Sequence, residues 1–567
     1  MIRTEPTDPL SGIKRFSAIR SELTEPLADT IAAPSEFMAV LNARGLYSTT
    51  QFVLRLNPRI HELVDAITSG TTEGYETDEL LSAYSTYLHE TIHWWQHVGS
   101  TAGLILSLCY PAQCLANLED LRTVITKVGP KKSLKLWAEN ALGNGAPASD
   151  EGLIAANRAV NNTIDTEFFK ALAIIPMKAA PALFEDRYFE CVGHSYSIAY
   201  ANTLHALIDS CDFDPASLPD PQQWSEPLER LRQEQHEGFY HGSPIRRARV
   251  GLLDIFEGQA RFNQLQFLRA AGGPYTCLDY RDAGFFEGNY VSAFEEFLRL
   301  TESAWPERID DPLINLFLLV CDLALNPTRG LPFQISSFED LLIDIDCGAR
   351  FTRLCAVARE TPTMKVAILD RSFQEYAEMS SALTGPCGYD HPLAALEEIV
   401  DLIENDPGAQ TLMSEWKTFA FSTTNQPLRV IVSHFLAFSR DKLAHPELFC
   451  WPGAFTAGSG ISPIHQELFL RHLSLFSDRA DNDGIFPRAW PHRSQDSVHM
   501  MQNVFFGSII MYDLARQWIL EDGPFRYNYR WLTGRSENDA LIAWAKLNFE
   551  KMFGAHHDAF EMVVEKA

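Results

Sequence analysis

A mainly α-helical fold with a small β-sheet near the N-terminus is expected from three observations on this 567-residue chain. Apolar residues recur at spacings of three and four along most of its length, which is the helical period. Strand-type composition is confined to one short stretch near residue 50. Hydrophobic residues make up 46% of the chain, with 36 Phe and 11 Trp, so a large core can form without disulfides or a metal. The length exceeds what one core usually serves, and two or more domains are expected.

In chain order, the β segment is Tyr47 to Leu56, YSTTQFVLRL, closed by Asn57-Pro58. Helical periodicity then covers roughly 77–126, 151–175, 180–211, 244–270, 290–304 and 312–325. The last of these holds the longest apolar run, Ile314 to Leu325. It carries Asp322 and is too short to span a bilayer, so it reads as a buried helix. Further helices are expected over 393–405, 427–443, 496–521 and 537–564. Turn formers gather at Gly143 to Gly152, Phe213 to Pro227, Asn326 to Pro332, Thr384 to Pro392 and Trp451 to Pro463. The chemically suggestive segments all precede the break at 326–332. The chain is therefore divided there, into a metal-binding part over 1–330 and a helical C-terminal domain over 331–567 with no role assigned.

The net charge of -27 argues against nucleic acid as a partner, because a duplex binder clusters Lys and Arg against phosphates. Arg246, Arg247 and Arg249 form the one basic cluster, too short to reverse that balance, and read as a solvated helix start. The opening MIRTEPTDPLSGIKRF lacks the charged-then-apolar order of a secretory signal. The ten cysteines are scattered, Cys109 and Cys114 being the closest pair, and form no CxxC. They read as reduced thiols of a cytoplasmic protein with no membrane partner.

The most informative segment is Thr77 to Ser100, TDELLSAYSTYLHETIHWWQHVGS. Asp78 and Glu79 suit the first turn of a helix. Leu81, Tyr84, Leu88, Ile92 and Trp95 make one apolar stripe, and His89, His93 and His97 lie about 100° away. His89 and His93, four apart, project from one face on adjacent turns and can bind one ion. Glu90 falls beside that ion, free to hold a water. Two neutral imidazoles holding zinc, with a glutamate taking a proton from bound water, is the chemistry of HExxH. A chance HExxH arises in roughly 3% of chains of this composition, so its weight comes from its place on an amphipathic helix. His97, one turn further, is carried away from a site centred on the first two histidines.

A catalytic zinc needs a third protein ligand. Glu257, in VGLLDIFEGQARFNQ, shares a stripe with Val250, Leu253 and Ala260, where a carboxylate is costly to bury without a cation. Ser243-Pro244 supplies a cap and proline for the start of that helix. Gly258 and Ala260 leave room for a second helix, and Arg261 could instead pair with Glu257. The other candidates are Glu190 and His194, four apart in FEDRYFECVGHSYSIAY, as ligand or as support for a ligating histidine.

His89-Glu90-Thr91-Ile92-His93 resembles the active-site helix of the zincin metallopeptidases, and Glu257-Gly258-Gln259-Ala260 resembles the EGxA helix of the gluzincins. The resemblance covers about ten residues, and more than 160 residues separate the two motifs, a longer gap than in common gluzincins. It implies a zincin-like α+β catalytic part in which His89, His93 and Glu257 hold zinc. It also implies a peptide or protein substrate cleaved by Glu90-assisted attack of zinc-bound water. Tyr188, Tyr196, His194 and His241 are possible oxyanion donors.

Two other classes compete with this reading. Glu90-Thr91-Ile92-His93 is also the ExxH unit of helical di-iron or di-manganese carboxylate proteins, which require a second such unit. A non-catalytic interaction protein would leave Glu90 without consequence. Several further patterns fail on geometry. His236 and His241 are five apart and leave a shared face, Asp481-Asn482-Asp483-Gly484 is a turn, and Gly453 to Gly460 lacks a phosphate-loop lysine. His556-His557 cannot share a helical face, and Trp94-Trp95 reads as packing.

Overall fold

A computed structural model describes residues 43–564 except 49–51, 244–246, 274, 328–334, 336, 423–424, 489–493, 530–531 and 533–537. The N-terminal stretch, Pro244, Arg246 and most of the 326–332 break therefore lie outside the described residues. The chain is mainly helical, with a small sheet.

The expected strand Tyr47 to Leu56 is two strands, β1 (Gly45–Ser48) and β2 (Val53–Leu56), paired antiparallel. The reversal brings Phe52 to φ 56°, a conformation that β-former composition does not reveal. Strands β4 (Phe476–Arg479) and β5 (Asn482–Pro487) complete a four-stranded sheet of order β1-β2-β4-β5, with β2 and β4 parallel. The turn between them is Ala480-Asp481, and the rest of the expected turn, Asn482 to Gly484, opens β5, where Asn482 Oδ1 accepts from the Gly484 N–H at 2.9 Å. A second, two-stranded sheet pairs β3 (Lys131–Lys132) with β6 (Glu561–Met562).

The helices that build the core and the site are α1 (Pro58–Ser69), α2 (Thr77–Gly99), α3 (Glu151–Ile174), α4 (Val192–His205), α5 (Leu252–Ala270), α6 (Asn289–Thr301) and α7 (Pro312–Leu325). They continue with α8 (Cys347–Glu360), α9 (Gln426–Ala444), α10 (Pro463–Arg471), α11 (Gln495–Leu520) and α12 (Asp539–Phe553). The continuous helix expected over 77–126 is broken after Gly99, where the Ser100 hydroxyl caps the next helix through the Gly103 N–H, and again at Pro111. The helix expected from 244 starts at Leu252, capped by the Asp254 carboxylate on the Gly251 N–H; exposed Arg247 and Arg249 precede it. The one expected over 537–564 ends at Phe553, followed by Gly554 at φ 87°. Periodicity does not single out α8, nor the helices Phe373–Thr384 and Pro407–Thr418.

Two hydrophobic clusters result. One joins the sheet, α2, α3, α4, α9, α11 and α12; the other joins α6, α7, α8 and one face of α5. Helix α7 is buried along its whole apolar length, as its composition requires. Helix α5 bridges the two clusters, giving Ala260 and Phe267 to the first and Ile255, Phe256, Phe262 and Leu265 to the second. Residues on both sides of position 330 share the first cluster and the four-stranded sheet. Each of the ten cysteines is buried as a free thiol. Among the described residues, no helix is long and apolar enough to cross a membrane.

Candidate metal centre

Helix α2 crosses α5 antiparallel, and polar side chains set the register. At one end Gln96 donates from Nε2 to the Phe256 carbonyl and to Gln259 Oε1, each at 2.9 Å, while the His97 ring meets Phe256. At the other end Gln264 donates to Ser85 Oγ at 3.1 Å, and Tyr84 packs on Phe267. Between these contacts His89 and His93 face Glu257. On the opposite side of α5, Gly258 admits α6: a Cβ there would lie 3.3 Å from Ala293 Cβ.

The three side chains converge on one point. His89 Nε2 and His93 Nε2 are 3.1 Å apart, and each lies 3.5 Å from Glu257 Oε2. Metal bonds of 2.0–2.2 Å at tetrahedral angles place donor atoms about 3.3–3.6 Å apart, so the triangle already has nearly the size a zinc ion requires. Glu257 Oε2 is buried without a hydrogen-bond partner, a state a cation would relieve. The donor set of two imidazoles and a carboxylate fits zinc.

Electrostatics agree with the geometry. Burial opposes charge on both imidazoles; at His89 it prevails and the pKa falls to about 4. At His93 the Glu257 carboxylate outweighs burial, and the pKa rises to about 9. Burial also opposes charge on Glu257, but the two histidines hold it well below the ordinary carboxylate range. A cation is thus stabilised between these groups, and a divalent ion would replace the proton.

Glu90 lies beside the triad, buried, with its carboxyl pushed up to about 7 chiefly by desolvation. Strand β1 passes directly over it: a Cβ at Gly45 would lie 2.6 Å from Glu90 Oε1, and the Tyr47 N–H donates to the same carboxylate. A side chain at position 45 would push the Glu90 carboxylate from this place. His93 Nδ1 meets Gln96 Oε1 at 2.8 Å, which fixes the ring with Nε2 toward Glu257. Sequence reasoning missed Gln96, although its spacing of three from His93 on a helix was available.

Arg261 does not serve mainly to neutralise Glu257. Its guanidinium lies 4.0 Å from the centre of the Tyr290 ring and donates to Gln264 Oε1 at 2.6 Å. Tyr290 in turn stands edge-on to His89. Both were absent from the expected donors, and three of those four donors are engaged elsewhere. Tyr188 donates to Glu139, Tyr196 to Asp346 at 2.5 Å, and His194 meets Asp165 at 2.9 Å. His241 is exposed. Glu190 precedes the first turn of α4, so Glu190 and His194 do not share a helical face and lie outside the triad. His97 is buried between Tyr47 and Phe256, its pKa lowered to about 3 by desolvation, and does not join the ligand group. Trp94 and Trp95 are buried packing residues, Trp95 donating to the His472 carbonyl at 2.8 Å.

No protein-family model, curated protein or solved structure matches the chain.

Proposed function

We propose that the chain is a zinc-dependent hydrolase with a zincin-like centre, and specifically a metallopeptidase. The observation that carries this reading is the triangle of His89 Nε2, His93 Nε2 and Glu257 Oε2, with sides of 3.1, 3.5 and 3.5 Å. Zinc held by these residues would supply a Lewis acid that polarises a carbonyl and makes water more acidic. Glu90, buried beside the triad, would take a proton from the attacking water at one oxygen and return it to the leaving amine. Arg261 and Tyr290 border the same space and can donate to the developing oxyanion.

A peptide is favoured over a small amide by the position of β1. Among the described residues it is one of the two edge strands of the sheet, and its Tyr47 N–H points away from β2 toward Glu90. An extended segment laid along that edge would carry its backbone past the Glu90 carboxylate.

The test is elemental analysis of protein purified without added metal, followed by peptide-library cleavage. Zinc lost in His89→Ala/His93→Ala, and cleavage lost in Glu90→Gln with zinc retained, is the expected result. Zinc absent from the unaltered protein, or cleavage that survives Glu90→Gln, would sink the proposal.

A further inference from the structure

We propose a second divalent-metal site formed by His445, Glu447 and His465, independent of the hydrolase reading. Among the described residues, this is the only other group of three or more such side chains whose donor atoms all lie within 4.8 Å of one another. His445 Nδ1 is 3.2 Å from Glu447 Oε1, and His465 Nε2 is 3.8 Å from the same oxygen. The donor set repeats that of the first centre, two imidazoles and one carboxylate, and suits zinc and related transition ions rather than calcium or magnesium.

Two further observations point to a ligand. Glu447 Oε2 is buried and has no hydrogen-bond partner, a costly state for a carboxylate oxygen unless a cation satisfies it. His465 Nδ1 faces the Gly460 carbonyl at 3.4 Å, which turns Nε2 toward Glu447 in the manner of a ligand oriented from behind. The imidazole of His445 is 31% exposed, against 12% for the other two side chains, so solvent can reach the ion and fill the fourth position.

The ion would tie three chain segments together: His445 caps the end of α9, Glu447 lies in the short helix Pro446–Cys450, and His465 lies in the first turn of α10. The loop they enclose rests on α5, where the Gly453 N–H donates to Asn263 Oδ1 at 3.2 Å. Metal here would stiffen the support of the helix that carries Glu257, and its role is structural.

The experiment removes the first centre and asks whether metal still binds. His89→Ala/His93→Ala protein, stripped with chelator, is titrated with Zn2+ by calorimetry, and its thermal midpoint is measured with and without the ion. The expected result is about one ion per chain and a raised midpoint, both abolished by adding His465→Ala. Glu447→Gln, nearly isosteric, is run in parallel and must also abolish binding while the circular dichroism stays native. No binding in the double variant, or binding that survives both further substitutions, overturns the proposal. Failure of the hydrolase reading would leave this result untouched, because the assay has no activity readout.

Discussion

The two His–Glu centres use the same side chains but differ in how the chain delivers them. At the first, two proposed ligands stand four residues apart on the 23-residue helix α2, and the third arrives more than 160 residues later on α5. At the second, all three fall within about twenty residues, but on the ends of separate short elements. The first triangle has sides of 3.1, 3.5 and 3.5 Å; at the second, the two histidines lie 3.2 and 3.8 Å from Glu447 Oε1, a less even spacing. Crossing helices under a locked register hold the first set of donors at near-equal distances, whereas the second set, on helix ends and turns, is less evenly spaced. Preorganisation here follows from the stiffness of the scaffold rather than from closeness in sequence.

This contrast can be broken most directly by removing one carboxylate at a time. Glu257→Ala should abolish metal retention through chelator treatment at the first centre, while Glu447→Gln leaves that ion in place; elemental analysis of both variants decides. Glu90→Gln should cut peptide cleavage roughly 10²–10⁴-fold with metal content unchanged, since it removes the proton carrier and not a ligand. Gln96→Leu should weaken zinc affinity of the first centre by about 10–100-fold, because His93 loses the partner that orients it and α2 loses its bond to the residue before Glu257. Competition with a chelating dye measures this, and an unchanged affinity would show that helix packing alone sets the ring.

The smallest effect concerns the ground beneath the second centre. Asp441, on α9 just before His445, accepts from His472 at 2.9 Å and Arg471 at 2.8 Å. Burial acts to raise its pKa, but these donors outweigh it and hold the carboxyl at about 2 against an ordinary 3.8. A depressed carboxylate contributes stability that is complete above the unfolded value and disappears as pH falls toward about 2. Asp441→Asn should therefore cost about 2 kcal/mol near neutrality and flatten that acid limb, as read from urea unfolding at several pH values.

Much of the first centre is legible in one dimension, and the reason is the helical period. His89 and His93 share a face wherever that stretch is helical, and Glu90 follows beside them. Glu257 is legible in part, as a carboxylate on an apolar stripe that calls for a cation. The same reasoning fails at Glu190 and His194, because a spacing of four means nothing where the first residue lies outside the helix. It also fails at the sheet: β1 and β2 read as a single strand, and half of the sheet comes from residues 476–487, whose pairing with β2 has no local signal.

Periodicity and composition therefore suffice for the helical class, the buried α7 and the two-histidine face of α2, all of which depend on neighbours a few residues apart. The crossing of α2 with α5, the passage of Gly45 over Glu90, the stacking of Arg261 on Tyr290 and the meeting of His445, Glu447 and His465 depend on which surfaces pack together. That choice is made by the joint burial of two hydrophobic clusters across hundreds of residues, and no window of sequence contains it.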